Sequence, residues 1–321
     1  MASRRSVLAT LGSVLLAGRP GFADDKNRRS RWELMFNSEE TEPSPLVPDP
    51  RSWPNDTITA AWLGHSSVLM NFLGTWVITD PVFSGRIGLT FAGIFTLGPK
   101  RLVAPALTVE QIPRVDVILL SHAHMDHLDL PTLRKFNPSI PVVMAKNTTD
   151  VIGDLDFERV YELDWGQWTS IAGLRLEALE VRHFGWRFPW EEDRSRGYKD
   201  GRSYNAYLIS KNNRSVVFGG DTSYHELFRR VKERNINIEL AMMPIGAYDP
   251  WIRNHASPEQ SVTMTQHMGA PTIFPIHWNT FIQSDEPRHE PIERLRAAAR
   301  NAGLAVAVDT VGQTWQAKDR L

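Results

Sequence analysis

The chain contains no cysteine among its 321 residues, which excludes disulfide bonds and thiolate metal ligands. Its formal net charge of −1 gives no global electrostatic reason to expect nucleic acid as a partner. After residue 57 there is no long hydrophobic run, no low-complexity linker and no internal repeat. A metal site would therefore have to use nitrogen and oxygen ligands, and residues 57–321 are predicted to form one layered α/β domain.

The first 56 residues differ from the rest in composition. Ser3-Arg4-Arg5-Ser6-Val7-Leu8 resembles a twin-arginine export signal, and an apolar stretch too short to span a bilayer follows it. We expect residues 1–23 to be this signal, with cleavage after Ala23 and a periplasmic or secreted bacterial protein as the product. An uncleaved anchor or a chance basic start is the alternative. Residues 24–56 are polar and then proline-rich, which predicts an extended arm.

Strands and helices are predicted from the hydrophobic pattern after residue 57. The predicted strands are 58–62, 67–72, 76–79, 115–120, 142–145, 174–181, 204–209, 215–218, 240–243 and 272–275. The predicted helices are 132–136, 225–233, 258–268 and 291–302. Strands dominate first and helices alternate with strands later.

The segment Ser121-His122-Ala123-His124-Met125-Asp126-His127 is the densest cluster of potential ligands. It directly follows a predicted buried strand, so it lies on a strand-to-helix loop. Alternate spacing turns His122 and His124 the same way, while Asp126 and His127 face a second point. This favours two adjacent metal ions. Imidazole and carboxylate ligands favour zinc, with iron or manganese as alternatives. The competing interpretation is a polar loop of solvated histidines.

Three more candidate ligands follow predicted strands. His183 and His277 each come just after an apolar run, and Asp221 follows Gly219-Gly220, which permits a tight turn. Any one of them alone would be weak evidence. Together with the central cluster they predict a shared metal site.

These residues resemble the ligand motif of the metallo-β-lactamase superfamily. The resemblance implies an αββα sandwich with metals bound at one edge of the sheets. It assigns His122, His124 and His183 to one metal, and Asp126, His127 and His277 to the other. It makes Asp221 the bridge between them.

Further segments resemble the N-acyl-phosphatidylethanolamine phospholipase D branch of that superfamily. They are Trp62-Leu63-Gly64-His65-Ser66-Ser67, Thr79-Asp80-Pro81-Val82-Phe83-Ser84, Gly98-Pro99-Lys100-Arg101, Glu162-Leu163-Asp164-Trp165, Pro244-Ile245-Gly246-Ala247-Tyr248-Asp249-Pro250 and Ile276-His277-Trp278-Asn279-Thr280-Phe281. The segment after His183 and the export signal depart from the mammalian enzymes. The resemblance implies a binuclear zinc phosphodiesterase acting on N-acylated phosphatidylethanolamine-like lipids, with a metal-bridging hydroxide as the nucleophile.

Other residues have two open interpretations. Asp126 and His255 are the candidate catalytic residues, and His255 would contact the substrate phosphate or the leaving alkoxide. It is otherwise only a neighbour of the Ser257 helix cap. Asp80 would orient a ligand histidine or merely form a turn. His65 is more readily a support for the loop than a ligand.

Substrate contacts are less defined than the ligands. The aromatic stretch Phe184, Trp186, Phe188 and Trp190 would pack on the domain, or receive acyl chains and touch a membrane. Lys100 and Arg101 would attract anionic head groups or form a solvated turn. A lactonase or esterase with the same fold, and an exported metal-binding protein without turnover, are the alternative functions. The sequence does not define the oligomeric state.

Overall fold

The computed structural model of the chain describes residues 40–91 and 95–318. The predicted export signal (1–23) and residues 24–39 of the predicted arm lie outside the described residues. Within the described part, residues 40–49 have little regular structure, and a short 3-10 turn covers Pro50–Ser52. The arm is attached to the domain by backbone hydrogen bonds, because Glu42 donates to Leu102 and accepts from Ala104.

The first sheet has seven strands in the order β16-β1-β2-β3-β6-β7-β8. Its strands are β1 (Ile58–Gly64), β2 (Ser67–Phe72), β3 (Thr75–Thr79), β6 (Val117–Leu119), β7 (Val142–Ala145), β8 (Val160–Leu163) and β16 (Thr314–Gln316). Every residue of β1, β2 and β3 is buried, so both faces of these strands are covered. This explains why they appear in the sequence as nearly continuous apolar runs.

The second sheet also has seven strands, in the order β15-β14-β13-β12-β11-β10-β9. They are β9 (Trp168–Ile171), β10 (Leu174–Leu179), β11 (Ala206–Lys211), β12 (Arg214–Phe218), β13 (Ile238–Pro244), β14 (Thr272–Ile276) and β15 (Ala305–Val306). A separate hairpin pairs β4 (Leu89–Phe91) with β5 (Phe95–Leu97). Buried residues of both seven-stranded sheets belong to one hydrophobic core.

Strand direction places many loop residues at one edge of the sandwich. Strands β3, β6 and β7 run parallel, and β1 has the same direction because it is separated from β3 by one antiparallel strand. Strands β12, β13 and β14 run parallel in the second sheet, and β10 shares their direction in the same way. The carboxyl ends of these strands therefore define one edge in each sheet.

Four α-helices are present in the described residues: α1 (Leu130–Leu133), α2 (Arg229–Glu233), α3 (Pro258–Met268) and α4 (Glu290–Ala302). Helix α3 begins with a capping box, in which Ser257 and Gln260 exchange side-chain hydrogen bonds with each other's backbone N–H. Helix α3 packs on β13 and α4 packs on α3. None of the helices in the described ranges combines the length and apolar character that a bilayer crossing requires.

The predicted αββα sandwich is confirmed, with differences in detail. The hairpin β4–β5 and the strands β8, β9, β15 and β16 were not predicted. Strands β9 and β16 lie at sheet edges and are half exposed, so they lack the continuous apolar pattern of buried strands. Helix α2 begins four residues later than predicted. The side chain of His225 accepts a hydrogen bond from the backbone N–H of Leu227, which competes with a helical start.

Arg101 is not part of a solvated turn, contrary to one interpretation of the Lys100-Arg101 pair. Its side chain is fully buried, and its guanidinium donates to the backbone carbonyls of Val82, Ser84 and Val103. It also lies over the ring of Phe281, 4.8 Å from the centroid. Burial lowers the pKa of Arg101 to about 9. Arg101 is therefore a structural cation that binds two loops together and is not available to a head group.

Replacing Arg101 by Met should lower the free energy of unfolding by about 2–4 kcal/mol, because buried carbonyls lose their donor. Chemical denaturation followed by circular dichroism measures the change. Arg229→Met is the matched control. Its exposed side chain forms an ion pair with Glu226 at 3.6 Å, and its loss should cost less than about 1 kcal/mol. Equal stabilities of the two variants would contradict the structural role of Arg101.

Candidate metal centre

The predicted ligands all lie at the common edge of the two sheets. The 122–127 turn follows β6, His183 follows β10, Asp221 follows β12 and His277 follows β14. All seven predicted ligands are brought together there, in overlapping groups whose ligand atoms lie within 4.8 Å of one another. The sandwich thus converts residues far apart in sequence into one polar centre.

The central turn is closed by its own backbone. The carbonyl of His124 accepts hydrogen bonds from the N–H groups of His127 (3.1 Å) and Leu128 (2.8 Å). This tight turn separates the side chains into two directions. His122 and His124 face the first group of ligands, and Asp126 and His127 face the second.

The first group consists of His122, His124, His183 and Asp221. Nδ1 of His124 lies 2.7 Å from Nε2 of His122 and 3.2 Å from Nε2 of His183. Nδ1 of His183 donates to the carbonyl of Asn254 at 2.9 Å. Because the carbonyl can only accept, this bond leaves the lone pair on Nε2 of His183 directed into the group.

The second group consists of His65, Asp126, His127 and His277. Oδ2 of Asp126 is its centre, at 3.3 Å from Nε2 of His277 and 3.0 Å from Nε2 of His65. The side-chain amide of Gln283 donates to the same oxygen at 2.7 Å. His65 and Gln283 are therefore additional members of the centre.

Asp221 lies between the two groups. Its Oδ2 is 3.1 Å from Nε2 of both His127 and His277 and 3.8 Å from Nε2 of His183. The tight turn predicted from Gly219-Gly220 is present, since Gly220 has φ +55° and a Cβ there would approach Ser121 to 2.7 Å. Both carboxylate oxygens of Asp221 are buried, and no described backbone, hydroxyl or amide group donates a hydrogen bond to them.

Asp80 holds the central turn from behind. It is fully buried, and its carboxylate accepts from the backbone N–H of Ser121 at 2.7 Å and from the Ser121 hydroxyl at 2.6 Å. It also accepts from Nδ1 of His127 at 2.6 Å. That bond fixes the His127 ring so that Nε2 points toward Asp221. Asp80 is therefore an orienting acceptor and more than a turn residue.

Burial and the nearby carboxylates shift the pKa values of the histidines in opposite directions. Burial lowers the pKa of His122, His124 and His183, most strongly for His122 and His124. Burial also opposes the charge on His277, but Asp221 and Asp126 outweigh it and raise its pKa to about 9.

The same balance acts on His127 and Asp221. Burial lowers the pKa of His127, but attraction to Asp221 and Asp126 raises it well above its ordinary value. Burial raises the pKa of Asp221, but the neighbouring histidines hold it well below its usual range. The negative charge of the buried carboxylate is thus stabilised by positive charge on the neighbouring groups.

The donor set fits divalent metal ions. Several nitrogen lone pairs and carboxylates converge in a buried space, and the buried atoms without a hydrogen-bond partner include Asp221 Oδ1 and Oδ2, His124 Nε2 and His127 Nε2. Such buried polar atoms are costly unless a cation or other partner satisfies them. A cation would replace the protons that His127 and His277 otherwise hold. With no sulfur ligand, the set suits zinc, iron or manganese.

A cleft of about 620 Å³ opens above the centre. It is lined by His124, Asp126, His183, Phe184, Trp186, Ser195, Asp221, Ala247, Trp251, Asn254, His255 and Gln283. Phe184 packs against the His124 and His183 rings at 4.4 and 4.6 Å between centroids. The first half of the aromatic stretch thus packs on the domain and also forms a wall of the cleft, whereas Trp190 remains 63% exposed.

His255 also lies at the cleft. Its Nδ1 is 3.7 Å from Oδ2 of Asp221, and burial lowers its pKa to about 3. The ring is therefore neutral at neutral pH and carries one N–H.

Arg187 connects the aromatic segment to the central turn. Its Nη1 donates to the carbonyls of Ala123 (2.7 Å) and Leu128 (3.0 Å), on either side of the segment that holds His124, Asp126 and His127. Its backbone N–H donates to Glu191, which is paired with Arg202. Sequence reasoning did not identify Arg187 or Gln283, because nothing near them in the chain resembles a ligand motif. For His65, the sequence favoured support of the loop over metal binding and gave no sign of its contact with Asp126.

Comparisons with known proteins agree with this geometry. A model of the beta-lactamase superfamily domain matches residues 75–278. An uncharacterised protein of Mycobacterium tuberculosis is 31% identical over 296 residues, covering 88% of this chain and 76% of the relative. The N-acyl-phosphatidylethanolamine-hydrolyzing phospholipase D 1 of Caenorhabditis elegans is 30% identical over 281 residues, covering 81% of this chain and 76% of the relative.

The fold is also similar to that of solved structures. An isothiocyanate hydrolase from Delia radicum gut bacteria superposes with a TM-score of 0.62 at 15% identity. The match covers 80% of this chain and 97% of that structure. At this identity the similarity concerns the fold alone.

Replacing Asp80 by Asn should weaken zinc binding by about 10- to 100-fold, because His127 loses its anionic acceptor. Asn suits the test because Asp80 has φ +32°, a region that Asn tolerates. Competition with a chromogenic chelator measures the affinity. Asp116→Asn is the control. Asp116 accepts a hydrogen bond from the backbone N–H of Trp76 near the start of β3, at the end of the strand away from the metal centre. Unchanged zinc affinity in Asp80→Asn would refute the orienting role.

Proposed function

The chain belongs to the metallo-β-lactamase superfamily, in its N-acyl-phosphatidylethanolamine phospholipase D-like branch, and is a metal-dependent hydrolase; from this premise we propose that it cleaves phosphodiesters of the phospholipase D type. The observation that carries the proposal is a pair of ligand groups with Asp221 between them, at the floor of an aromatic-walled cleft. The substrate class is a phospholipid with an N-acylated head group. The relative from Caenorhabditis elegans is named for hydrolysis of such lipids.

The proposed cofactor is a pair of zinc ions. His122, His124 and His183 would hold one, Asp126, His127 and His277 would hold the other, and Asp221 would contact both. Two such ions would lower the pKa of a water molecule toward neutrality and offset negative charge on a phosphoryl oxygen.

The reaction adds the oxygen of water to phosphorus and breaks the phosphorus–oxygen bond to the head group. The head group leaves as an alcohol, with a proton, and phosphatidic acid remains. His255 is neutral and lies beside Asp221, so it would donate its N–H to the phosphate or the leaving oxygen. Asp126 is ionised, since neighbouring histidines keep its pKa well below the usual range against the effect of burial. It therefore acts as an acceptor and ligand.

The remaining residues of the cleft would bind the lipid. Phe184 and Trp186 pack against each other with tilted rings, 4.9 Å between centroids, and would offer an apolar wall beside the ligands. Trp251 lines the same cleft and is 42% exposed, and its neighbour Ile252 is 43% exposed. This exposed apolar pair at the entrance supports peripheral contact with a membrane that supplies the substrate.

Zinc-loaded protein should release phosphatidic acid and the free head-group alcohol from N-acylated phosphatidylethanolamine, measured by mass spectrometry. The panel includes other phospholipids, bis(p-nitrophenyl) phosphate and lactones. Each lipid is offered both in vesicles and as a short-chain monomer, and faster turnover in vesicles is expected from membrane contact. Hydrolysis of lactones with no phosphatidic acid from any lipid would overturn the phosphodiesterase proposal in favour of a lactonase.

Two histidine variants should separate metal binding from bond cleavage. His124→Ala should lose both bound metal and turnover, whereas His255→Ala should keep its metal and lose about 10²- to 10⁴-fold in kcat. Metal is measured by inductively coupled plasma mass spectrometry. His289→Ala is the control, since His289 is exposed at the start of α4. Wild-type turnover in His124→Ala would refute the proposed centre.

A further inference from the structure

His65 occupies a buried turn between β1 and β2, and its backbone is fully engaged. Its N–H donates to Oγ1 of Thr280 at 2.7 Å. Its carbonyl accepts from Nε1 of Trp62 at 2.8 Å and from the N–H of His277 at 3.0 Å. The residue has φ +51°, a conformation that a side chain other than glycine adopts at some cost. The surrounding contacts therefore hold His65 in one orientation.

The His65 side chain contacts other members of the second ligand group. Its Nε2 lies 3.0 Å from Oδ2 of Asp126, and its ring centroid lies 4.2 Å from that of His277. An ionised carboxylate only accepts hydrogen bonds, so Nε2 of His65 carries the proton in this contact. The ring therefore presents a donor to Asp126.

One residue thus contacts all three other members of the second group, since its ring centroid also lies 5.4 Å from that of His127. The backbone carbonyl of His65 fixes the N–H of His277, and its ring fixes the carboxylate of Asp126. Gln283 donates to the same Asp126 oxygen, so two residues outside the proposed ligand set define the rotation of this carboxylate. No corresponding contact joins His65 to His122, His124 or His183 among the described hydrogen bonds and ring contacts.

We propose that His65 is a positioning residue that orders Asp126 and His277 for the second metal, without binding a metal itself. The proposal rests on the two-metal function proposed above. It predicts that loss of the His65 ring selectively weakens binding of the second metal. Binding of the first metal should not change, because His122 is held by Ser121 and His183 by Asn254. Loss of a residue that only stabilised the fold would weaken the binding of both metals alike.

The test is a zinc titration of the full chain after removal of metal by a chelator, followed by isothermal calorimetry. Wild-type protein should bind two zinc ions in two steps. His65→Leu should weaken the second step by about 10- to 100-fold and leave the first unchanged. His65→Gln should restore the second step to within a few fold, because its amide N–H can reach Asp126. Both variants carry the same backbone cost at φ +51°, so the comparison isolates the donor.

His267→Leu is the control for loss of a buried histidine outside the centre, and both of its zinc steps should match wild type. Thermal unfolding of the metal-free proteins checks that each variant folds. Two unchanged zinc steps in His65→Leu, or equal weakening of both steps, would overturn the positioning role alone. Fewer than two zinc ions on the wild-type protein would overturn the proposed two-metal function and this inference with it.

Discussion

The structure depends on the burial of one carboxylate, that of Asp221, where the two sheets meet. No described backbone, hydroxyl or amide group donates a hydrogen bond to its oxygens, and four histidine nitrogens lie within 3.8 Å of Oδ2. Removing a carboxylate from water is costly, so the surrounding charge has to compensate. The strand ends of both sheets supply that compensation in the form of imidazoles. The sandwich and the centre are therefore one arrangement: separating the sheets would take His127, the partner that the first sheet supplies, away from the acid.

Around this acid, a shell of hydrogen bonds sets the direction of each ligand. Asp80 fixes His127, and the carbonyl of Asn254 fixes His183. These contacts come from different loops, each at the end of a different strand. Their combined effect is that the ligands are ordered by the fold before any cation is bound, which reduces the entropy lost on binding. Arrangements of this kind favour tight binding and a defined separation between the two groups.

Much of this could be predicted from sequence, because the ligands follow buried strands and apolar runs mark those strands clearly. The 122–127 spacing also indicated two directions of ligation. Of the contacts that order the ligands, the sequence indicated that of Asp80, as one of two interpretations, and the others could not be predicted. Gln283 reaches Asp126 across 157 positions of the chain, and such a contact leaves no local pattern. Arg101 was ambiguous because a basic pair in a loop is usually solvated. Here the loop carbonyls turn inward and require a donor. Edge strands were missed because half their residues face solvent.

The hydrogen bonds from Arg187 to the central turn limit which residues of the aromatic segment can change. The segment that walls the cleft is the same segment whose guanidinium holds the carbonyls of Ala123 and Leu128. Exposed residues of this segment, such as Trp190 and Tyr198, make no such contact, so substitutions there would leave the ligands undisturbed. Replacing Arg187 would disturb the ligands themselves. The exposed residues of the segment can therefore vary in sequence, whereas Arg187 is constrained by its contact with the metal centre.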